Sequence, residues 1–150
     1  MTERADDLVL ELSAELPAGR ERVYEALTQP SELARWWGPH GFTIPEIDWD
    51  LRVGGVYRLT MQPPEGEAFH LTGQFRGIDP PAALSYTFVW EEPDPDDRET
   101  LVSLSLLDAG GSTELRLRQG AFATEDRLAL HRGGWSDSFE KLERLLSAEP

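Results

Sequence analysis

The chain of 150 residues suits one domain, and its 39% apolar content, with five Trp, six Phe and three Tyr, can build a substantial core. A formal charge of −14, from 28 acidic against 14 basic residues, repels phosphate backbones and anionic headgroups, which argues against nucleic acid and membrane surfaces as partners. Cysteine is absent, which excludes a disulfide framework, a thiolate metal site and a Cys nucleophile. The N-terminal stretch MTERADDLVLEL has acids and alternating leucines where a secretory signal has a basic start and an unbroken apolar run. No later stretch reaches spanning length, so a cytoplasmic location is expected.

From Leu8 to Ala14, Leu8, Leu10 and Leu12 alternate with Val9, Glu11 and Ser13, the pattern of a half-buried strand. Pro17, Ala18 and Gly19 end it. Arg20 to Leu27 predicts a short helix with Val23, Ala26 and Leu27 on one side. A second short helix is expected over Ser31 to Trp37, with Pro30 suited to its first turn and Gly38 and Pro39 as its stop. The adjacent indoles of Trp36 and Trp37 cannot both point into one core, so one is expected to pack inward and the other to cover an edge or an opening. Packing is weighed above ligand contact for such clusters.

Phe42 to Asp50 predicts a strand in which Ile47 and Trp49 alternate with Glu46, Asp48 and Asp50. Gly54 and Gly55 allow a tight reversal, after which Tyr57, Leu59 and Met61 face inward to complete a hairpin. Beyond Pro63, Pro64 and Gly66, the inner set Phe69, Leu71, Gly73 and Phe75 opposes His70, Thr72, Gln74 and Arg76. Gly73 leaves a gap on the inner face, either a bend or room for a close neighbour. Leu84, Tyr86, Phe88 and Trp90 share one face of the next strand. The acidic run EEPDPDDRE, Glu91 to Glu99, reads as a solvated hairpin tip, because its charges lack the spacing and central glycine of an EF-hand loop. Val102, Leu104 and Leu106 alternate with serines, Gly110 and Gly111 turn the chain, and Leu115 and Leu117 alternate with Glu114, Arg116 and Arg118. A long antiparallel meander results.

Thr124, Glu125 and Asp126 have the form of a helix start, a capping hydroxyl followed by acids near the positive end of the dipole. Gly133 and Gly134 interrupt this stretch, with close backbone packing preferred to a bend. From there Trp135, Phe139, Leu142 and Leu146 fall at i, i+4, i+7 and i+11, one apolar stripe that needs a partner. One face of the antiparallel sheet is that partner, giving an α+β fold class with an aromatic-lined space between helix and sheet.

The ordered set Val23-Tyr24-Glu25-Ala26-Leu27, Trp36-Trp37-Gly38-Pro39, Asp50-Leu51-Arg52-Val53-Gly54-Gly55, Met61 with Pro63, Pro64 and Gly66, Gly73 with Asp79-Pro80-Pro81, and Gly134-Trp135 resembles the START-like superfamily. Within it, the chain is similar to the branch of the activator of heat-shock-protein-90 ATPase homologue. The resemblance spans about Leu8 to Leu146. It implies a helix-grip fold, a seven-stranded antiparallel sheet wrapped around a long C-terminal helix with two short helices after the first strand, as a single START-like domain over 1–150. Many relatives enclose hydrophobic small molecules, and others are cyclases or stress proteins.

The expected function is binding of a hydrophobic or aromatic small molecule between the last helix and the sheet, by a monomer or homodimer. The expected lining is Trp37, Phe42 and Trp49, then Tyr57, Met61 and Phe75, then Tyr86 and Phe88, and from the last helix His131, Trp135 and Phe139. His40, His70 and His131 lack metal-ligand spacing, so neither a metal nor a cofactor is expected. Two readings compete. One is a cyclase or hydrolase acting on a polyketide-like substrate through His131 and Tyr86, for which a merely hydrogen-bonded histidine is the preferred alternative. The other is a protein-interaction module of the heat-shock ATPase activator type, using the acidic surface and an exposed tryptophan. A ligand-sized cavity, convergence of His131 with Tyr86 and exposure of Trp36 are the observations that separate the three.

Overall fold

The alternating and helical patterns above become, in the computed structural model describing residues 8–148, a continuous chain order of elements. These are β1 (Leu10–Leu16), α1 (Arg20–Thr28), α2 (Pro30–Trp36), β2 (Thr43–Trp49), β3 (Val56–Gln62), β4 (Phe69–Asp79), β5 (Ala83–Trp90), β6 (Thr100–Asp108), β7 (Thr113–Gly120) and α3 (Glu125–Ser147). The reading of the first seven residues lies outside the described ones. The seven strands form one sheet in the order β1-β7-β6-β5-β4-β3-β2, and every adjacent pair is antiparallel. The fold is α+β and of the helix-grip type, with α3 laid against the face that carries Phe88, Tyr86 and their neighbours. No helix among the described residues is long and apolar enough to cross a membrane.

Period-two alternation placed the inner face correctly along most strands. Tyr57, Leu59 and Met61, then Leu71 and Phe75, then Leu84, Tyr86 and Phe88, and then Val102, Leu104 and Leu106 are all buried. Strand β1 runs two residues later than Leu8 to Ala14. Its ladder with β7 continues past Ala14 to Leu16↔Thr113, where Leu16 is wholly buried, and stops at Pro17, the first of the three residues expected to end it.

Three expectations are corrected. Trp36 and Trp37 are both buried, at 0% and 4% exposure. Helix α2 ends at Trp36, and Trp37 leaves it in an extended conformation (φ −70°, ψ 138°), so the second indole swings off the helix and reaches the space under α3. The change of backbone conformation between the two residues is what lets adjacent rings share one interior. Gly133 and Gly134 do not interrupt α3, which is continuous through both. An added Cβ would meet nothing within 4 Å at Gly133 and only the Pro39 ring, at 3.8 Å, from Gly134, so close backbone packing is not their reason either.

The acidic run after β5 is no freely solvated tip. Arg127, on the first turn of α3, pairs with Asp94, with Asp96 through Nε at 3.0 Å, and with Asp97 through Nη1 at 3.5 Å. Thr124, the N-cap of α3, accepts from Arg127 N–H at 3.1 Å and donates to Asp96 at 3.1 Å. One arginine thus folds the loop back over the helix start. Of the two readings of Gly73, a close neighbour is the correct one. The Tyr57 ring crosses the bare Cα and donates its hydroxyl to the Thr87 carbonyl at 2.7 Å.

Candidate functional site

Strands β3, β4 and β5 present aromatic and thioether side chains at one end of the sheet, where Met61 pairs with Phe69 and Leu71 with Trp90. Above them, α3 turns Arg127, Leu130, His131, Gly134, Trp135 and Ser138 toward the same space. The corner after α2 adds Trp37, Gly38, Pro39 and Phe42. Together they line a half-open cavity of about 430 Å³, within the range of small-molecule sites. Its walls are aromatic rings held edge to face. Phe69 stands at 79° to Phe42 and 62° to Trp90, and Phe88 at 90° to Trp90. Glu92, Asp94, Asp97 and Arg127 form the charged part of the lining.

Polar contacts fix the corner that carries Trp37. Gly38 has φ +96°, a conformation suited to glycine. Its N–H donates to Ser138 Oγ at 2.9 Å, and the Ser138 hydroxyl lies 2.9 Å from the Gly134 carbonyl, to which it donates. Lys141 donates to the carbonyls of Trp37 and Pro39 at 3.3 and 3.4 Å, where the C-terminal end of α2 favours a cation. Burial pulls the Lys141 ammonium below its ordinary range. The cavity roof is therefore tied to α3 by side chains one turn apart.

Six of the eleven expected lining residues meet there: Trp37, Phe42, Met61, Phe88, His131 and Trp135. Trp49, Tyr57, Phe75 and Tyr86 do not line it. They form a packed aromatic cluster farther along β3, β4 and β5, joined by Trp49 from β2, with ring centroids 4.9 to 6.4 Å apart. Trp49 Nε1 in that cluster is the one buried polar side-chain atom among the described residues without a hydrogen-bond partner. Phe139 is buried beyond Trp135, 5.8 Å from it. Trp37 is the partition, 6.2 Å from Tyr86 on one side and 5.2 Å from Trp135 on the other. Phe69 and Trp90, inner-face residues by alternation, complete the wall and were missing from the expected set.

His131 is neutral and fully engaged. Its Nδ1–H donates to the Arg127 carbonyl at 2.8 Å, and Nε2 accepts from Trp90 Nε1 at 3.3 Å. Burial first, together with the Arg127 charge, pushes its pKa below the ordinary 6.5, against the opposing effects of that backbone bond and Asp97. Tyr86 does not reach the cavity, and burial pushes its phenol far up. The acid–base pair of the cyclase reading is not assembled, and the exposed Trp36 of the interaction reading is a buried one that donates to the Ala26 carbonyl at 2.8 Å. Because the folded chain resists protonating His131, the unfolded chain takes up a proton below pH 6.5 that the folded chain does not. Stability therefore falls as pH drops below 6.5. In urea titrations across that window, His131→Gln is expected to lose this slope, and an unchanged slope would refute the assignment.

Two surface groups bring one histidine and two carboxylates within 4.8 Å: His40 with Asp137 and Glu140, and His70 with Glu91 and Glu92. Both are closed by their own bonds. His40 Nε2 lies 2.8 Å from Glu140, His70 Nδ1 lies 2.7 Å from Glu92, and Arg58 holds Glu91 through two contacts of 2.8 and 2.9 Å.

Residues 17–147 match the sequence profile of the Activator of Hsp90 ATPase homolog 1-like protein family. The chain belongs to that family. Solved structures agree. A protein from Chromobacterium violaceum superposes with a TM-score of 0.85 at 23% identity, covering 95% of this chain and 99% of its own, which speaks to the fold alone. An AHSA1 protein from Silicibacter pomeroyi gives 0.82 at 27% identity with the same coverage. A protein from Nitrosomonas europaea gives 0.80 at 27% identity, covering 94% of this chain and 95% of its own. Among curated proteins the chain has no match. The START-like fold of this family commonly binds hydrophobic ligands.

Proposed function

We propose that this family member is a cytoplasmic binding domain, one START-like unit over its 150 residues, that encloses an apolar, aromatic small molecule between α3 and the β3–β5 end of the sheet. The observation that carries the reading is the cavity of about 430 Å³ walled by Trp37, Phe42, Phe69, Phe88, Trp90 and Trp135. A space that size is roomy enough for a two-ring ligand, and rings already held edge to face offer a guest similar contacts. Little side-chain ordering remains to be done on binding, because Trp90 and Trp135 are fixed by bonds from their indole N–H groups to His131 and Gln119.

Gly134 provides the test. It lines the cavity, lies inside a helix and has only the Pro39 ring, 3.8 Å away, near its missing Cβ. Gly134→Leu should fill the space and favour the helix by up to about 1 kcal/mol. N-phenyl-1-naphthylamine, a neutral apolar fluorophore of three aromatic rings, is expected to bind the wild-type protein saturably. Its affinity should fall at least about tenfold in Gly134→Leu, with no loss of thermal stability. Absence of saturable binding to the wild type, or equal affinity for both proteins, would overturn the reading.

A further inference from the structure

The charged residues of the cavity wall are three carboxylates and one guanidinium: Glu92, Asp94, Asp97 and Arg127. Arg127 is already shared among three acids, since Asp96 joins Asp94 and Asp97 as its partners. Among the described residues, no cation in the wall remains to meet an anionic ligand. Asp97 is the unusual member. Its side chain is only 9% exposed, yet its guanidinium contact is the long one, at 3.5 Å, and its other bond is from the Asp94 backbone N–H at 2.8 Å. A carboxylate that far from water is costly unless fully paired. A ligand cation would complete its pairing, and a ligand anion would add repulsion in a site of low dielectric. The neighbouring rings favour the same sign. The faces of Trp90, Phe69 and Phe88 carry the negative side of the aromatic quadrupole, and His131 between Trp90 and Arg127 is held neutral with both nitrogens used.

We propose that the cavity selects hydrophobic amines: an aryl or alkyl body lies among the rings and a protonated nitrogen sits at the Asp97, Asp94 and Glu92 end, over Trp90. Fatty acids and other apolar carboxylates are rejected. This assignment rests on the binding reading above and adds the sign of charge to it.

Three probes with one body separate the two claims: 4-phenylbutylamine, 4-phenylbutanol and 4-phenylbutyrate, titrated into the wild-type protein by isothermal calorimetry at pH 7. The amine is expected to bind about tenfold more tightly than the alcohol, and the alcohol more tightly than the carboxylate. The amine's advantage should shrink in 1 M salt, and it should also shrink by about tenfold in Asp97→Asn. The salt arm needs no variant, so it decides the matter even if the loop in Asp97→Asn comes loose. An amine no tighter than the alcohol overturns the charge assignment and leaves the apolar cavity standing. Failure of all three probes overturns both.

Discussion

Gly73→Ala is expected to cost about 3–5 kcal/mol, at the upper end for a single substitution, or to prevent folding. An ideal Cβ at this position would lie 2.0 Å from the Thr87 carbonyl oxygen and 2.5 Å from Cε2 of Tyr57. The first is backbone of β5 and cannot swing aside, and the second belongs to a ring that is wholly buried and tied to that same carbonyl. Relief requires β4 and β5 to separate or Tyr57 to abandon its place beneath Trp49 and Phe75. The matched control is Gly133→Ala, in an exposed stretch of α3 with nothing within 4 Å, where helix propensity should add about 0.5–1 kcal/mol. Urea midpoints of the two variants should move in opposite directions. A Gly73→Ala midpoint near that of the wild type would mean that the ring does not cross this strand.

Gln119→Leu should destabilise the protein by about 2–4 kcal/mol, although leucine has nearly the right volume. Gln119 is wholly buried on β7, where its carbonyl accepts from Trp135 Nε1 at 2.8 Å and its amide donates to Thr100 Oγ1 at 2.9 Å. Leucine leaves an indole N–H and a hydroxyl without these partners in an apolar interior. Replacing the whole relay, as Gln119→Leu with Trp135→Phe and Thr100→Val, removes the polar groups together and should recover part of the loss. If the triple variant is no more stable than the single one, the cost lies in packing and not in unpaired donors.

The relay also marks a limit of the sequence. Gln119 shares the buried face of β7 with Leu115 and Leu117, yet a lone glutamine at the end of a strand has no spacing that reveals a tryptophan sixteen residues onward as its partner. Arg127 is similar. A cation on the first turn of a helix runs against the dipole, and only the folded loop shows that it gathers Asp94, Asp96 and Asp97 and so shapes the cavity mouth. Trp37 was misjudged for a local reason, since a ring assumed to follow the helix actually leaves it.

By itself, the sequence determined the order of elements, the inward face of nearly every strand and the apolar stripe of α3, because periods of 2 and 3.6 residues are set by backbone geometry alone. It also carried the family. What it left open was depth along the strands. Tyr57 and Met61 lie on the same face of β3, as do Tyr86 and Phe88 on β5, but one of each pair lies in a solid aromatic cluster and the other lines a cavity. Period gives the side of a sheet and is silent about position on it. Only the tertiary structure decides where neighbouring rings close up and where they stand apart. Here Gly73 lets Tyr57 fill one end, and α3 with the Trp37 corner arches over the other.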